Sequence, residues 1–416
     1  MTDRGKGSRV GAGTKTVLVA LMAVWLVLKP PAQQGAVSPK RPPQSTSSPE
    51  KKAPPRQAYV GDEACRSCHA EEARNYAQTA HHLTSSLPSA KTVVGSFTPD
   101  ANILHTSNPY LYFAMNVTKE GYFQTAVEEL APSKTVSRTE RIAVVTGVPR
   151  KGQTYLFWKG DELFQLPVSY WTGLNGWGNS PGYPDGSPRF DKPIIPRCLE
   201  CHSSYFEWLP PPVNRFKKTS LVLGITCERC HGPGREHVGR HSSKPPLHPG
   251  GASEAIINPA SLSRDRQIDV CALCHAGPGT PIEPSLSFVA GDVLDDYVYI
   301  PYSGADASID VHASQVQLLR RSRCFQASGT MTCSTCHNVH TPQREAAGFS
   351  PRCLTCHQPK DCGLYPKRGD QIAVDCVDCH MPLQETQVIF SNSNGKTLKP
   401  QVRTHRIGIY PDAQQP

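Results

Sequence analysis

The pentapeptide Cys-x-x-Cys-His occurs seven times in this 416-residue chain, and no other feature restricts its folding as much. The copies are Cys65/Cys68/His69, Cys198/Cys201/His202, Cys227/Cys230/His231, Cys271/Cys274/His275, Cys333/Cys336/His337, Cys353/Cys356/His357 and Cys376/Cys379/His380. They use fourteen of the sixteen cysteines. Composition alone would place roughly 0.02 such pentapeptides in a chain of this make-up. Chance is excluded.

Cys-x-x-Cys-His is the attachment site of a c-type haem. Each thiol adds to one vinyl group of the porphyrin, and the adjacent histidine reaches the iron as proximal ligand. Three rivals fit worse. Zinc sites join two Cys-x-x-Cys half-sites and do not need His at the next position every time. A thioredoxin-like redox pair occurs once, within a βαβ pattern. A disulfide framework has no reason to place His after every second Cys. The reading is seven covalently attached haem c groups.

Composition agrees with a cofactor-filled interior. Only 38% of residues are hydrophobic and 7% aromatic, against 39 Pro and 32 Gly. That is thin material for the core of a chain this long. Seven porphyrins would supply the missing apolar volume. The formal charge is +9. Each oxidised haem with two imidazoles brings a charge of about −1, so the Lys/Arg excess roughly neutralises the cofactors. Basic residues are not interleaved with aromatic ones, so no nucleic-acid partner is read.

The chain divides unevenly. Arg4, Lys6, Arg9 and Lys15 precede an apolar run from about Val17 to Leu28. Residues 1–32 read as a signal peptide, with an uncleaved N-terminal membrane anchor as the alternative, because Lys29-Pro30-Pro31 makes a poor cleavage site. Either way the bulk is extracytoplasmic, periplasmic or anchored to the inner membrane. Residues 33–57 are a Pro/Ser-rich linker. The first haem segment is 58–91, a β-rich insertion spans 92–190, and a six-haem cluster spans 191–416. Within the insertion, residues 110–127 and 153–168 each show two β-rich runs around a Gly-containing turn. The run from Trp171 to Pro196 reads as Gly/Pro-rich loop. The expected fold is that of a multihaem cytochrome c: mainly short helices and long loops wrapped around a haem cluster, with a β-rich insertion.

Nine histidines lie outside the motifs: His81, His82, His105, His237, His241, His248, His312, His340 and His405. Methionine is scarce past the apolar run, with Met115, Met331 and Met381 only, and Met381 adjoins proximal His380. Second axial ligands are therefore expected to be histidine. His340 is three residues from His337, so on a helix the two share a face and cannot grip one iron from opposite sides. His69 and His81 would be about 18 Å apart on a straight helix, too far for one iron. Cross-ligation between neighbouring haems follows. His81, His237, His340 and His405 are the leading distal candidates, followed by His312 and His105, with His82, His241 and His248 in reserve. Cys324 and Cys362 form either a disulfide or two separate thiols.

The stretches YVGDEACRSCH, CERCHGPGREHV, MTCSTCHNVH and DCVDCHMP together resemble the cytochrome c-552/c-554 family of multihaem cytochromes, related to the group of hydroxylamine oxidoreductase and multihaem nitrite reductase. The likeness runs from about residue 58. It implies that His81, His237, His340 and His405 are distal ligands, that haems stack in close pairs, and that the protein transfers electrons. All seven motifs end in His, so the Cys-x-x-Cys-Lys site of the nitrite reductases is not matched. The β-rich insertion departs from the small tetrahaem carriers of that family.

The function expected is electron transfer between other redox proteins, a donor and an acceptor, through closely packed haems with two histidine ligands. The alternative is an oxidoreductase acting on a small nitrogen or sulfur compound at one haem with an open axial position. A scaffold or sensor role built on the insertion is a third reading.

Overall fold

Alternation of apolar and polar side chains builds the strands. Their chain order is β1 (Ser85–Ser86), β2 (Ile103–His105), β3 (Leu111–Thr118), β4 (Gly121–Ala131), β5 (Lys134–Arg141), β6 (Val144–Thr146), β7 (Thr154–Lys159), β8 (Glu162–Gln165), β9 (Val168–Trp171), β10 (Gly176–Asn179) and β11 (Lys192–Pro193). In β3, Leu111, Phe113 and Met115 are buried while the residues between them are not, the period of two of a strand with one face on the core. The computed structural model describes residues 51–99, 101–242, 255–301, 309 and 314–411. The N-terminal apolar run, the linker before residue 51, His248 and His312 lie outside the described residues.

Strands β2 to β5 form a four-stranded antiparallel sheet in sequence order. A second sheet has the order β1-β6-β7-β8-β11. Buried Gln124 joins the two halves of the β region. Its amide donates to the Val168 carbonyl at 2.8 Å and accepts from the Val168 N–H at 3.2 Å. Leu111, Phe113, Met115, Tyr155, Phe157, Leu166 and Val168 fill the core between them. Residues 110–127 and 153–168, read above as hairpins, are hairpins in the structure.

The run after Trp171 is not all loop. Residues Gly176–Asn179 form β10 and pair with β9. Asn175 turns the chain at φ 49°, and Trp177 then buries its ring and donates from Nε1 to the Ala101 carbonyl at 3.0 Å. One aromatic anchor outweighs the glycines around it.

Two more observations adjust the boundaries read from composition. The larger sheet takes in Ser85–Ser86 and Lys192–Pro193 from beyond both ends of the insertion. Residues 51–57, assigned above to the linker, touch the fold: Lys51 pairs with Asp296 at 3.1 Å and lies over the Tyr297 ring. The C-terminal segment also binds the β region, where Asn179 N–H donates to Ser393 Oγ at 2.7 Å.

The helices are α1 (Asp62–Arg66), α2 (Ala70–Tyr76), α3 (Pro196–Glu200), α4 (Cys227–His231), α5 (Arg235–Ser242), α6 (Arg264–His275), α7 (Gln315–Arg320), α8 (Arg323–Ala327), α9 (Ser350–Cys353), α10 (Tyr365–Arg368) and α11 (Cys376–His380). Among the described residues only α6 exceeds eight residues. Apolar packing is unequal along the chain. From residue 328 to 382, Ile372 and Val377 are the only buried hydrophobic side chains among the described residues. Three of the seven motifs lie in that stretch.

Candidate haem-binding site

Each motif lies on or against a helical turn. Motifs one to four involve α1, α3, α4 and the end of α6; the fifth starts on a 3-10 turn (Cys333–Thr335), and the sixth and seventh use α9 and α11. The turn closes locally. The N–H of His69 donates to the Cys65 carbonyl at 2.9 Å, and that of His337 to Cys333 at the same distance. A helical turn brings residues three and four apart to one face, so both thiols and the histidine can address one porphyrin. After α4 the chain must leave at once. Gly232 does this at φ 78°, a conformation that favours glycine.

Motifs far apart in sequence are neighbours in space. Thiols come close enough to influence each other between Cys65 and Cys227, Cys201 and Cys274, Cys271 and Cys333, and Cys353 and Cys376. The first motif thus adjoins the third, the second the fourth, the fourth the fifth, and the sixth the seventh. No disulfide joins Cys324 to Cys362; they stand as separate thiols.

Protein covers the motif thiols unequally: Cys68, Cys198 and Cys356 are exposed and the other eleven are half-buried. Helix α1 ends at Arg66 and α9 at Cys353, so Cys68 and Cys356 fall beyond the helix ends. The first cysteines of these two motifs turn to Cys227 and Cys376, while the second ones face outward. Their described side-chain contacts are only with the preceding residues, Ser67 Oγ and Thr355 Oγ1, each at 3.8 Å.

The histidines pair across motifs. His231 faces His340 with ring centroids 5.9 Å apart and planes 15° from parallel. His337 faces His405 at 6.2 Å and 27°. His275 faces His81 at 5.9 Å. Two imidazoles that bind one metal from opposite sides, at ordinary metal–nitrogen lengths of about 2.0–2.1 Å, have centroids about 6 Å apart. Three pairs therefore have the separation that an iron with two histidine ligands needs. Helix α2 ends at Tyr76, so His69 and His81 share no straight helix and His81 turns to a different motif.

In two motif histidines the second ring nitrogen is oriented as iron ligation requires. His231 Nδ1 lies 2.8 Å from the Ile257 carbonyl and His380 Nδ1 2.7 Å from that of Gly408. A carbonyl accepts, so Nδ1 carries the proton and Nε2 keeps its lone pair. Thr84 Oγ1 is 3.0 Å from His202 Nδ1. The Nδ1 atoms of His237 and His405 are buried and make no hydrogen bond among the described residues. Burial, then repulsion from His337, lowers the His405 pKa to about 4. Burial also lowers those of His231 and His237, the latter helped by nearby His241 and His69. These rings are neutral near pH 7, the form that ligates a metal. Cysteine pairs, neutral histidines and paired rings fit covalently bound haem c.

Other candidates lie elsewhere. His105 is exposed on β2, and its ring neighbour is Tyr112 at 6.2 Å. His82 packs beside Tyr76 and lies 3.5 Å from Asp62. His241 stacks near His237 at 4.7 Å.

A family model described as cytochrome c554 and c-prime matches residues 185–232, which carry the second and third motifs. The C-type polyheme cytochrome OmcC of Geobacter sulfurreducens is 27% identical over 168 residues, 39% of this chain and 20% of that protein. The multiheme cytochrome MtrA of Shewanella baltica is 26% identical over 187 residues, 39% of this chain and 52% of that protein. The findings support a multihaem cytochrome c. The chain spans about a fifth and about half the length of these two curated relatives. The crystal structure of the outer cell wall cytochrome OcwA shares the fold, with a TM-score of 0.54 and 18% identity over 84% of this chain and 79% of that one. Among the described residues no helix is long and apolar enough to cross a membrane.

Sequence reasoning missed the carboxylates inside the motifs. Glu228, between Cys227 and Cys230, is 4% exposed. It accepts from the N–H groups of Val60, Gly61 and Gly234 at 2.8 to 2.9 Å. The third motif thereby clamps the approach to the first. Residues between the two cysteines are unconstrained by attachment chemistry, so nothing local marks Glu228. Glu228→Ala leaves one buried and two half-buried donors without a partner, and a buried one costs about 1–3 kcal/mol. We expect a loss of about 2 kcal/mol, read by denaturant unfolding, with earlier proteolysis at residues 58–66. Unchanged unfolding and cleavage would refute the clamp.

Proposed function

We propose that this chain is an extracytoplasmic heptahaem c-type cytochrome. It carries electrons between redox partner proteins through closely packed haems, most of them held by two histidines. The proximal ligands are His69, His202, His231, His275, His337, His357 and His380. Distal ligands are His81 for the fourth motif, His340 for the third, His405 for the fifth and His237 for the first. The observation that carries this reading is the set of three imidazole pairs at 5.9 to 6.2 Å, each joining a motif to a histidine from another part of the chain. Two strong axial nitrogens keep an iron low-spin and coordinatively full, which suits transfer rather than chemistry. The outer cell wall cytochrome of similar fold supports a location outside the cytoplasm. The N-terminal segment would be a signal or a tether there, and a link to the hydroxylamine oxidoreductase group rests on the motif resemblance alone.

The runner-up reading is the oxidoreductase, since the three ring pairs leave His357 and His380 without an opposing imidazole among the described residues. A haem with an open axial position there would bind a small nitrogen or sulfur compound. The deciding experiment is the mass of the purified holoprotein with EPR at low temperature. Seven haems, all low-spin and inert to cyanide, are expected. Fewer haems would sink the heptahaem reading, and a high-spin signal that shifts with cyanide would favour the oxidoreductase.

A further inference from the structure

Three charged side chains are buried together where the second, third and fourth motifs meet. Arg197 precedes Cys198, Glu200 lies inside the second motif, and Arg229 lies inside the third. Their side chains are 5%, 3% and 8% exposed. Arg197 Nη1 donates to Glu200 Oε2 at 2.7 Å. Arg229 Nη2 lies 3.4 Å from Glu200 Oε1, which also accepts from the Leu286 N–H at 2.8 Å. Arg197 reaches the end of α6 as well, donating to the carbonyls of Pro278 and Leu273.

Glu228, next to Arg229, is a second buried carboxylate, but it is held by three backbone N–H groups. Among the described residues Glu200 is the carboxylate that Arg229 reaches, and only at 3.4 Å. Tyr59 lies near Arg229, but burial raises its pKa and keeps the phenol neutral. The other ionisable neighbours of the two arginines are motif thiols, Cys201, Cys230 and Cys274. Thioether formation makes these neutral. Arg stays protonated at any ordinary pH, so the charge of Arg229 is fixed.

We infer that the Arg197–Glu200–Arg229 cluster sets the reduction potential of the haems on the second, third and fourth motifs, with Arg229 contributing a buried positive charge. The inference rests on the haem reading above. A ferric haem carries one more positive charge than a ferrous one. A fixed positive charge in a low-dielectric interior favours the reduced form and raises the potential. Arg229 is a positioning residue by this account, since it acts by charge and not by ligating iron.

The test is a spectroelectrochemical titration of the full holoprotein. Arg229→Gln should move part of the curve to lower potential, roughly a three- to tenfold fall in the reduced-to-oxidised ratio at the affected haems. That is about 30 to 60 mV at about 59 mV per tenfold. Arg229→Lys keeps the charge and should titrate near the wild type. Arg138→Gln removes an exposed charge on β5 and should overlay it. Glu200→Gln should move the curve the other way, which reads the charge even where Arg229→Gln accumulates poorly. The double variant Arg229→Gln/Glu200→Gln restores one net charge and should return toward the wild type. Coincident curves for Arg229→Gln and wild type at equal haem content would overturn the inference alone. So would equal shifts in Arg229→Gln and Arg229→Lys. A wild-type protein without haem at these three motifs would overturn the haem reading with it.

Discussion

Produced without haem attachment, the chain is expected to keep hydrogen-exchange protection in its sheets and lose it from residue 328 to 382. The sheet region has its own core of thirteen buried apolar side chains. The later stretch has Ile372 and Val377 alone among its described residues. A buried apolar side chain contributes about 1.5–3 kcal/mol. Ordering the backbone costs about 1–2 kcal/mol for every residue fixed. Two side chains cannot order such a segment, and three porphyrins attached within it can. Exchange there should speed up by roughly a thousandfold or more between the haem-loaded and haem-free chains, since local openings range up to the full unfolding free energy. Mass spectrometry of exchanged peptides reads it directly. Equal protection of 328–382 in both forms would show that the protein packs this segment by itself.

The second large effect concerns the axial pairs. His405→Ala should convert one low-spin haem to high-spin, moving about one seventh of the low-spin EPR intensity, because its ring faces His337 at 6.2 Å. His340→Ala should do the same at the haem of His231. Both variants should gain a cyanide-sensitive band. His105→Ala should change no spectrum, since that ring sits on β2 beside Tyr112. A folded His405→Ala holoprotein with every haem still low-spin would mean that another residue ligates that iron.

The two variants also separate what kind of information sequence carries. His340 adjoins its motif, and spacing on a helix would exclude it as the partner of His337; the segment is a turn and not a helix, and His340 faces His231 instead. Which iron it does serve is a matter of where the third motif comes to lie, and the chain supplies no local mark for that. Likewise His105 and His405 look alike as free histidines in the sequence. One is on an exposed strand and the other is buried against a motif, and only packing distinguishes them. The same holds for Cys68 and Cys230, which occupy equivalent places in their motifs. One is exposed past the end of α1, and the other lies within α4 and is partly covered.

The hairpins were legible for a different reason. Apolar alternation in 110–127 and 153–168 is a property of neighbouring residues, and a strand with one buried face demands it. The strand Gly176–Asn179 was not legible. Its glycines and proline neighbours signal a loop, and the ring of Trp177 holds it only because Ala101, far back in the chain, accepts from its indole.

Haem attachment chemistry is covalent and local, so the repeated Cys-x-x-Cys-His spacing by itself pointed to a multihaem cytochrome c, and composition by itself showed the shortage of ordinary core. Tertiary structure alone decided which motifs are neighbours, which histidine faces which, and that Arg197, Glu200 and Arg229 are buried together. Those arrangements depend on contacts between distant positions. Thr84 and His202 are 118 residues apart, and His81 and His275 are further apart still. Contacts of that kind are fixed by how the whole chain closes around its cofactors, and no window of sequence contains them.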